Sequence, residues 1–329
     1  MDLENQYRGW IKQIKDALDE WSSISISGDY EYVVIAGMGG SGIVGDYLDR
    51  LSRVYGGLPV VVVKDNYVPA YIGEKSLVIA VSYSGNTHET ISFVREAGKR
   101  VRNMVIVTSD GVLADIAREK NYVLVTIPSG FVPRASLPYM LYRILGVLDS
   151  SGYSIVSRGV AEESLRFLES EHNGIRSNAR RVAEYIDKYK RLLILAGHSP
   201  YEPLLVRGKN EFNENSKIPV KIECAPEWMH NDIVGWEKPY STDYAVLSVV
   251  DPDDSIGLKL VEYMESVYRE LGIPVYRIEL KGSSFLDKLM YGSLLLGYSS
   301  IELAYKRRIN PLVTTSIAKY KEIASRIYG

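Results

Sequence analysis

Uninterrupted apolar runs alternate with amphipathic stretches along most of the chain. Tyr32–Ala36, Val60–Val63, Leu77–Val81, Met104–Val107 and Val123–Ile127 show no polar alternation, as strands of a parallel sheet covered on both faces should. Between them, Ile43–Leu51, Glu89–Val101 and Val112–Lys120 repeat their apolar positions every three or four residues and predict helices. A helical face from Leu3 to Trp21 (Tyr7, Trp10, Ile11, Ile14, Ala17, Leu18, Trp21) predicts an amino-terminal arm, and a helix over 137–148 closes the first half. Ser150–Ser157, rich in Ser and Gly, reads as a joint and predicts domains of 1–152 and 153–329. Two helices, Val160–Glu171 and Ile175–Lys190, are predicted after it. The order then repeats: strand 192–196, helix 202–213, strands 220–223 and 244–249, helix 255–271, strand 275–280, helix 285–306 and a last helix near 315–327. The predicted class is α/β, with two parallel-sheet subdomains flanked by helices and a helical arm at each end. Two such halves side by side would leave a cleft for a small molecule.

Candidate chemistry sits at the ends of two strands. After Leu77–Val81 comes Ser82-Tyr83-Ser84-Gly85-Asn86-Thr87, with three hydroxyls and a glycine ahead of a helix. Hydroxyls together with unpaired N–H groups at a helix amino terminus suit one phosphate. After Tyr32–Ala36 comes Gly37-Met38-Gly39-Gly40-Ser41-Gly42, a second loop of the same grade. Gly37, Gly39 and Gly42, with Asp65 after the next strand, also fit a dinucleotide fingerprint, so an NAD-binding oxidoreductase is the rival reading. One glycine turn normally holds a pyrophosphate, however, and the Ser/Thr loop duplicates that work and suits a monoester.

Composition narrows the partners. In 329 residues the net charge is −2 with both signs interspersed, which implies neither nucleic acid nor a membrane surface. No run of eighteen apolar residues occurs. Cys224 is the single cysteine, so an internal disulfide is excluded and a reducing cytoplasm is expected. Two glutamines, 25 tyrosines and balanced charge are compatible with a heat-adapted source. No paired His and Glu spacing announces a zinc site, so neither metal nor cofactor is expected.

The two loops together resemble the sugar isomerase (SIS) domain. Downstream, Asn213-Glu214-Asn215-Ser216-Lys217 and His230-Asn231-Asp232-Ile233-Val234-Gly235-Trp236 resemble the archaeal bifunctional phosphoglucose/phosphomannose isomerases, a branch of that superfamily, with likeness over nearly the whole chain. The resemblance implies two SIS-type subdomains and interconversion of glucose 6-phosphate or mannose 6-phosphate with fructose 6-phosphate. It implies a metal-independent cis-enediol route and a homodimer. By position, it makes Glu214 the base and His230, delivered to the neighbouring subunit's site, the residue that helps open the ring. Lys321 would stand beside it and Arg134 would be the site arginine. Gly39, Gly40, Ser41, Ser82, Ser84 and Thr87 would bind substrate, and Thr314 would replace a threonine linked to the mannose epimer. The tail departs from the family pattern, and Lys319 competes with Lys321 for its role. A non-catalytic phosphosugar sensor remains an alternative. Taken alone, Glu214 would read as a solvated carboxylate near a helix end and His230 as a loop residue.

Overall fold

The computed structural model describes residues 2–328. The chain divides into two compact units, Met1–Leu165 with Thr314–Gly329, and Arg166–Val313.

The first unit is built on five parallel strands: β1 (Tyr32–Gly37), β2 (Val60–Val63), β3 (Ser76–Val81), β4 (Met104–Thr108) and β5 (Val123–Thr126), in the order β2-β1-β3-β4-β5. β3 lies beside β1 in parallel register, Val34 against Val78 and Gly37 against Val81. Every residue of β3 and all but Tyr32 of β1 are buried, which is why these strands read as apolar runs rather than alternations. This 2-1-3-4-5 order is not the 3-2-1-4-5-6 of NAD-binding folds and disfavours the NAD-binding rival. Asp65, its ribose ligand, lies exposed after β2. The crossover helices are α3 (Gly39–Tyr55), α4 (His88–Ala97) and α5 (Val112–Lys120).

The amino-terminal arm is two helices, α1 (Leu3–Arg8) and α2 (Trp10–Asp19), where the periodicity alone predicts one. Gly9 breaks it: its backbone lies at φ −71°, ψ −3° and its N–H returns to the Asn5 carbonyl. The inward face of α2 packs on α6 (Leu137–Ser150) and is stapled to the segment before that helix. Trp10 Nε1 and Gln13 Nε2 both donate to the Ala135 carbonyl at 3.0 Å, and Gln6 Oε1 accepts the Val132 N–H at 2.8 Å. The arm thereby fixes the backbone on both sides of Arg134.

The next helix, α7 (Arg158–Tyr189), is continuous over 32 residues, where two helices, Val160–Glu171 and Ile175–Lys190, are predicted. Ala161, Leu168, Ile175 and Val182 are all buried and seven residues apart, so the packing face passes straight through Gly174. That periodic burial outweighs the roughly 1 kcal/mol a helical glycine costs.

The second unit repeats the plan with β6 (Leu192–His198), β7 (Val220–Ala225), β8 (Tyr244–Val250) and β9 (Val275–Glu279), all parallel, in the order β7-β6-β8-β9. Its helices are α8 (Glu202–Glu211), α9 (Ser255–Glu270) and α10 (Phe285–Lys306). α10 is apolar and buried almost all round, and a capping box starts it: Ser284 accepts from the Asp287 N–H while Asp287 reaches back to the Ser284 N–H. Then α11 (Thr315–Tyr328) returns to the first unit. Among the described residues no helix is long and apolar enough to cross a membrane, and no cluster of His, Cys, Asp or Glu is placed to hold a metal ion.

Candidate active site

In an open parallel sheet, ligands bind outside the carboxyl ends of the strands where the strand order reverses. In the first unit that point is between β1 and β3, and both phosphate-grade loops emerge there. The first loop is tight because its glycines are crowded by backbone. A Cβ on Gly42 would lie 2.6 Å from the Gly37 carbonyl oxygen, and one on Gly40 would lie 2.9 Å from the Arg134 nitrogen. Helix α3 starts within the loop, at Gly39 rather than Ile43, and no side chain caps it among the described residues. Its first N–H groups and positive dipole end face the crevice mouth.

The second loop turns at Gly85 (φ +67°), where a Cβ would fall 1.7 Å from the Asp110 carbonyl oxygen. Thr87 occupies the position before α4 without capping it; its hydroxyl lies 3.0 Å from that of Ser82 instead. Ser84 Oγ accepts the Asn86 N–H at 3.3 Å. Ser41 is buried, accepts the Tyr83 N–H at 3.1 Å and contacts Met140 Sδ at 3.8 Å. Its hydroxyl therefore joins the two loops. Tyr83 braces the crevice from behind, donating to the Pro128 carbonyl and accepting the Phe131 N–H, and burial pushes its hydroxyl above the ordinary tyrosine range.

Arg134 lies in a short 3-10 turn, Pro133–Ser136, buried to 6 % exposure against the Gly40 backbone. Its backbone thus lies beside the amino-terminal end of α3, whose dipole favours an anion. On α11, Tyr320 donates to Glu89 Oε1 at 2.5 Å in the first turn of α4. That bond raises the tyrosine's pKa and ties α11 to the first turn of α4; the flanking Lys319 and Lys321 are both exposed. The carbonyl of Thr314 accepts the Ala318 N–H at the start of α11. Sequence reasoning missed Tyr83, Glu89 and Tyr320, because each acts through a partner distant in the chain.

In the second unit the same strand-end crevice, between β6 and β8, is filled by the protein itself. Lys288 Nζ donates to Asp251 Oδ1 and Asp253 Oδ2, both at 2.6 Å, Tyr201 Oη donates to Asp251 Oδ2 at 2.7 Å, and His198 Nε2 accepts the Asp251 N–H at 3.1 Å. Burial alone would raise the Asp251 pKa, but the Lys288 and Tyr201 hydrogen bonds bring it below the usual carboxylate range. A carboxylate whose folded pKa is depressed stabilises above its unfolded pKa of about 4 and loses that contribution as pH falls through the folded value. Stability measured by urea unfolding is therefore expected to fall with pH below about 4, and Asp251→Asn to flatten that fall.

What the second unit presents instead is Glu214 and His230. Beyond Glu211 the helix widens into one π turn, Phe212–Ser216, ended by Lys217 in the left-handed region (φ 58°). The extra residue turns Asn215 and Ser216 inward, where Asn215 Nδ2 donates to Glu211 Oε2 and Ser300 Oγ, each at 2.8 Å, and Ser216 Oγ donates to the Ser300 carbonyl at 2.6 Å. Glu214 is left half-buried at the surface of this rigid turn, an irregularity of the kind often found at functional sites. His230 is exposed at the end of the first of two 3-10 turns, Glu227–His230 and Asp232–Trp236.

The profile described as "SIS domain" matches residues 30–142, and "Bacterial phospho-glucose isomerase C-terminal SIS domain" matches 175–323. The chain is 33% identical over 330 residues to the bifunctional phosphoglucose/phosphomannose isomerase of Aeropyrum pernix, covering 97% of each. The chain belongs to the bifunctional phosphoglucose/phosphomannose isomerase family. Within this isomerase family's SIS fold it also resembles the C-terminal domain of glucosamine-fructose-6-phosphate aminotransferase from Francisella tularensis, with TM-score 0.69 and 14% identity over 92% of this chain and 95% of that one. Full-length likeness extends to the D-glucosamine-6-phosphate 4-epimerase of Sulfolobus acidocaldarius, 29% identical over 97% of each chain. The names of these two full-length relatives share a phosphorylated sugar and differ in the reaction.

Proposed function

We propose that this family member is an aldose–ketose isomerase that interconverts glucose 6-phosphate and mannose 6-phosphate with fructose 6-phosphate through a cis-enediol. The observation that carries the reading is the β1/β3 crevice, where two glycine and hydroxyl turns meet two uncapped helix ends beside a buried arginine. That arrangement suits a phosphate monoester.

The residue roles follow from what the reaction demands. His230 protonates the ring oxygen as the anomeric hydroxyl loses its proton, giving the open-chain aldehyde. Glu214 then takes the proton from C2 and returns it to C1 while a proton passes from the C2 oxygen to the C1 oxygen. Arg134 and Lys321 (or Lys319) supply positive charge for the enediolate. Reprotonation of the planar C2 from either face gives the glucose or the mannose epimer, with Thr314 as a contact for the latter. Gly39, Gly40, Ser84 and Thr87 hold the phosphate, while Ser41 and Ser82 set the turns that do so.

The working form in this reading is a homodimer in the cytoplasm, with His230 serving the neighbouring subunit's site. The exposed loop that carries His230 supports this, as does the single cysteine, which fits a reducing compartment. Coupled assays on both aldose phosphates, with a strong chelator present, test the function. Formation of fructose 6-phosphate from each, unaffected by chelator, is expected. A C4 epimer as product, or binding without conversion, would overturn the reading.

A further inference from the structure

Glu223 on β7 is a carboxylate with no exposed side-chain surface, in the stretch between the Glu214 and His230 motifs but part of neither. Removing such a charge from water costs several kcal/mol unless donors surround it. Here four converge. Trp228 Nε1 donates to Oε2 at 2.6 Å, Trp236 Nε1 is shared between both oxygens at 3.2 Å, Tyr268 Oη donates to Oε2, and Lys221 Nζ to Oε1. The Lys221 ammonium also lies 5.2 Å above the Trp236 ring, and both indoles pack edge-on against Tyr268.

Two of these donors bracket His230. Trp228 lies in the 3-10 turn that His230 ends, and Trp236 ends the next turn, so one carboxylate ties down both sides of His230. The stretch between is exposed and its backbone at Asn231 (φ −145°, ψ −59°) is neither helical nor extended. The two indoles are fully or nearly fully buried, whereas Met229 and Ile233 of the same loop are only partly buried against the core. An apolar residue at position 223 would fill the core equally well; what it could not do is hold two indole N–H groups at one point.

We propose that Glu223 is a positioning residue for His230, setting the height and direction of the loop through Trp228 and Trp236. This rests on reading His230 as the residue that opens the sugar ring. A catalytic group displaced by about 1 Å can lose roughly 10²-fold in rate. Glu223→Gln keeps the shape but turns an amide N–H toward donors, so its kcat is expected to fall by roughly 10- to 100-fold, with KM for fructose 6-phosphate within about twofold.

The deciding measurement is a double-mutant cycle with His230→Ala. If Glu223 acts through His230, E223Q/H230A turns over no more slowly than H230A alone. Multiplied losses would overturn the inference and leave the isomerase reading intact; wild-type turnover of H230A would overturn the His230 role itself, and the inference with it. Glu223→Asp, which keeps the charge and both acceptor oxygens, is expected to recover part of the loss. Tryptophan-fluorescence unfolding identifies the variants that remain folded, and Trp236→Phe, which removes one N–H and keeps the ring, carries the same cycle where Glu223→Gln does not fold.

Discussion

Glu214→Gln is expected to reduce isomerisation of all three sugar phosphates by roughly 10²–10⁴-fold while fructose 6-phosphate binds with nearly unchanged affinity. The amide is the same size, and Asn215 and Ser216 hold the π turn through inward bonds to Glu211 and Ser300. What is lost is the ability to take a carbon-bound proton. Loss of k_cat without loss of binding is the signature of a group that acts only in the transition state. Steady-state kinetics paired with calorimetry on fructose 6-phosphate checks it, and turnover near wild type would remove Glu214 from the mechanism.

Gly85→Ala is expected to destabilise the first unit by about 3 kcal/mol or more and to raise KM for every substrate by at least about 10-fold. The backbone at φ +67° alone costs an alanine about 1–2 kcal/mol. The new Cβ also meets the Asp110 carbonyl 1.7 Å away, so the Ser82–Thr87 turn has to shift. Gly272→Ala supplies the control: φ is +70° but nothing lies within 4 Å, so only the backbone contribution is expected and KM should not move. Equal effects of the two substitutions on KM would show that the turn does not hold the phosphate.

The central strands β1, β3, β4, β6 and β8 were legible because they are sheathed on both faces, which leaves a continuous apolar run as their signature. The two phosphate loops were legible because glycine and hydroxyl turns are local chemistry, complete within six residues. Helix limits were less so. Gly9 ends a helix and Gly174 does not, and the difference lies in the heptad-spaced burial of Ala161, Leu168, Ile175 and Val182, which only packing reveals. The π turn at Glu214 was hidden because one extra residue per turn changes which side chains face inward, Asn215 and Ser216, without changing their composition. Tyr320 on Glu89 and Tyr268 on Glu223 were hidden for a different reason: hydrogen bonds across 231 or 45 residues leave no trace in spacing. Glu214 and His230 stood out only through resemblance, since a lone carboxylate or histidine carries no periodic signal.

The isomerisation of glucose 6-phosphate in ²H₂O, with chelator present and NMR as the readout, tests the enediol claim most directly. A carboxylate that lifts a proton from C2 exchanges it with solvent in competition with its return, so deuterium is expected at C1 of fructose 6-phosphate and at C2 of the glucose and mannose phosphates recovered at equilibrium. Sustained turnover with no deuterium at either carbon would mean that hydrogen moves directly between them, and would contradict the account.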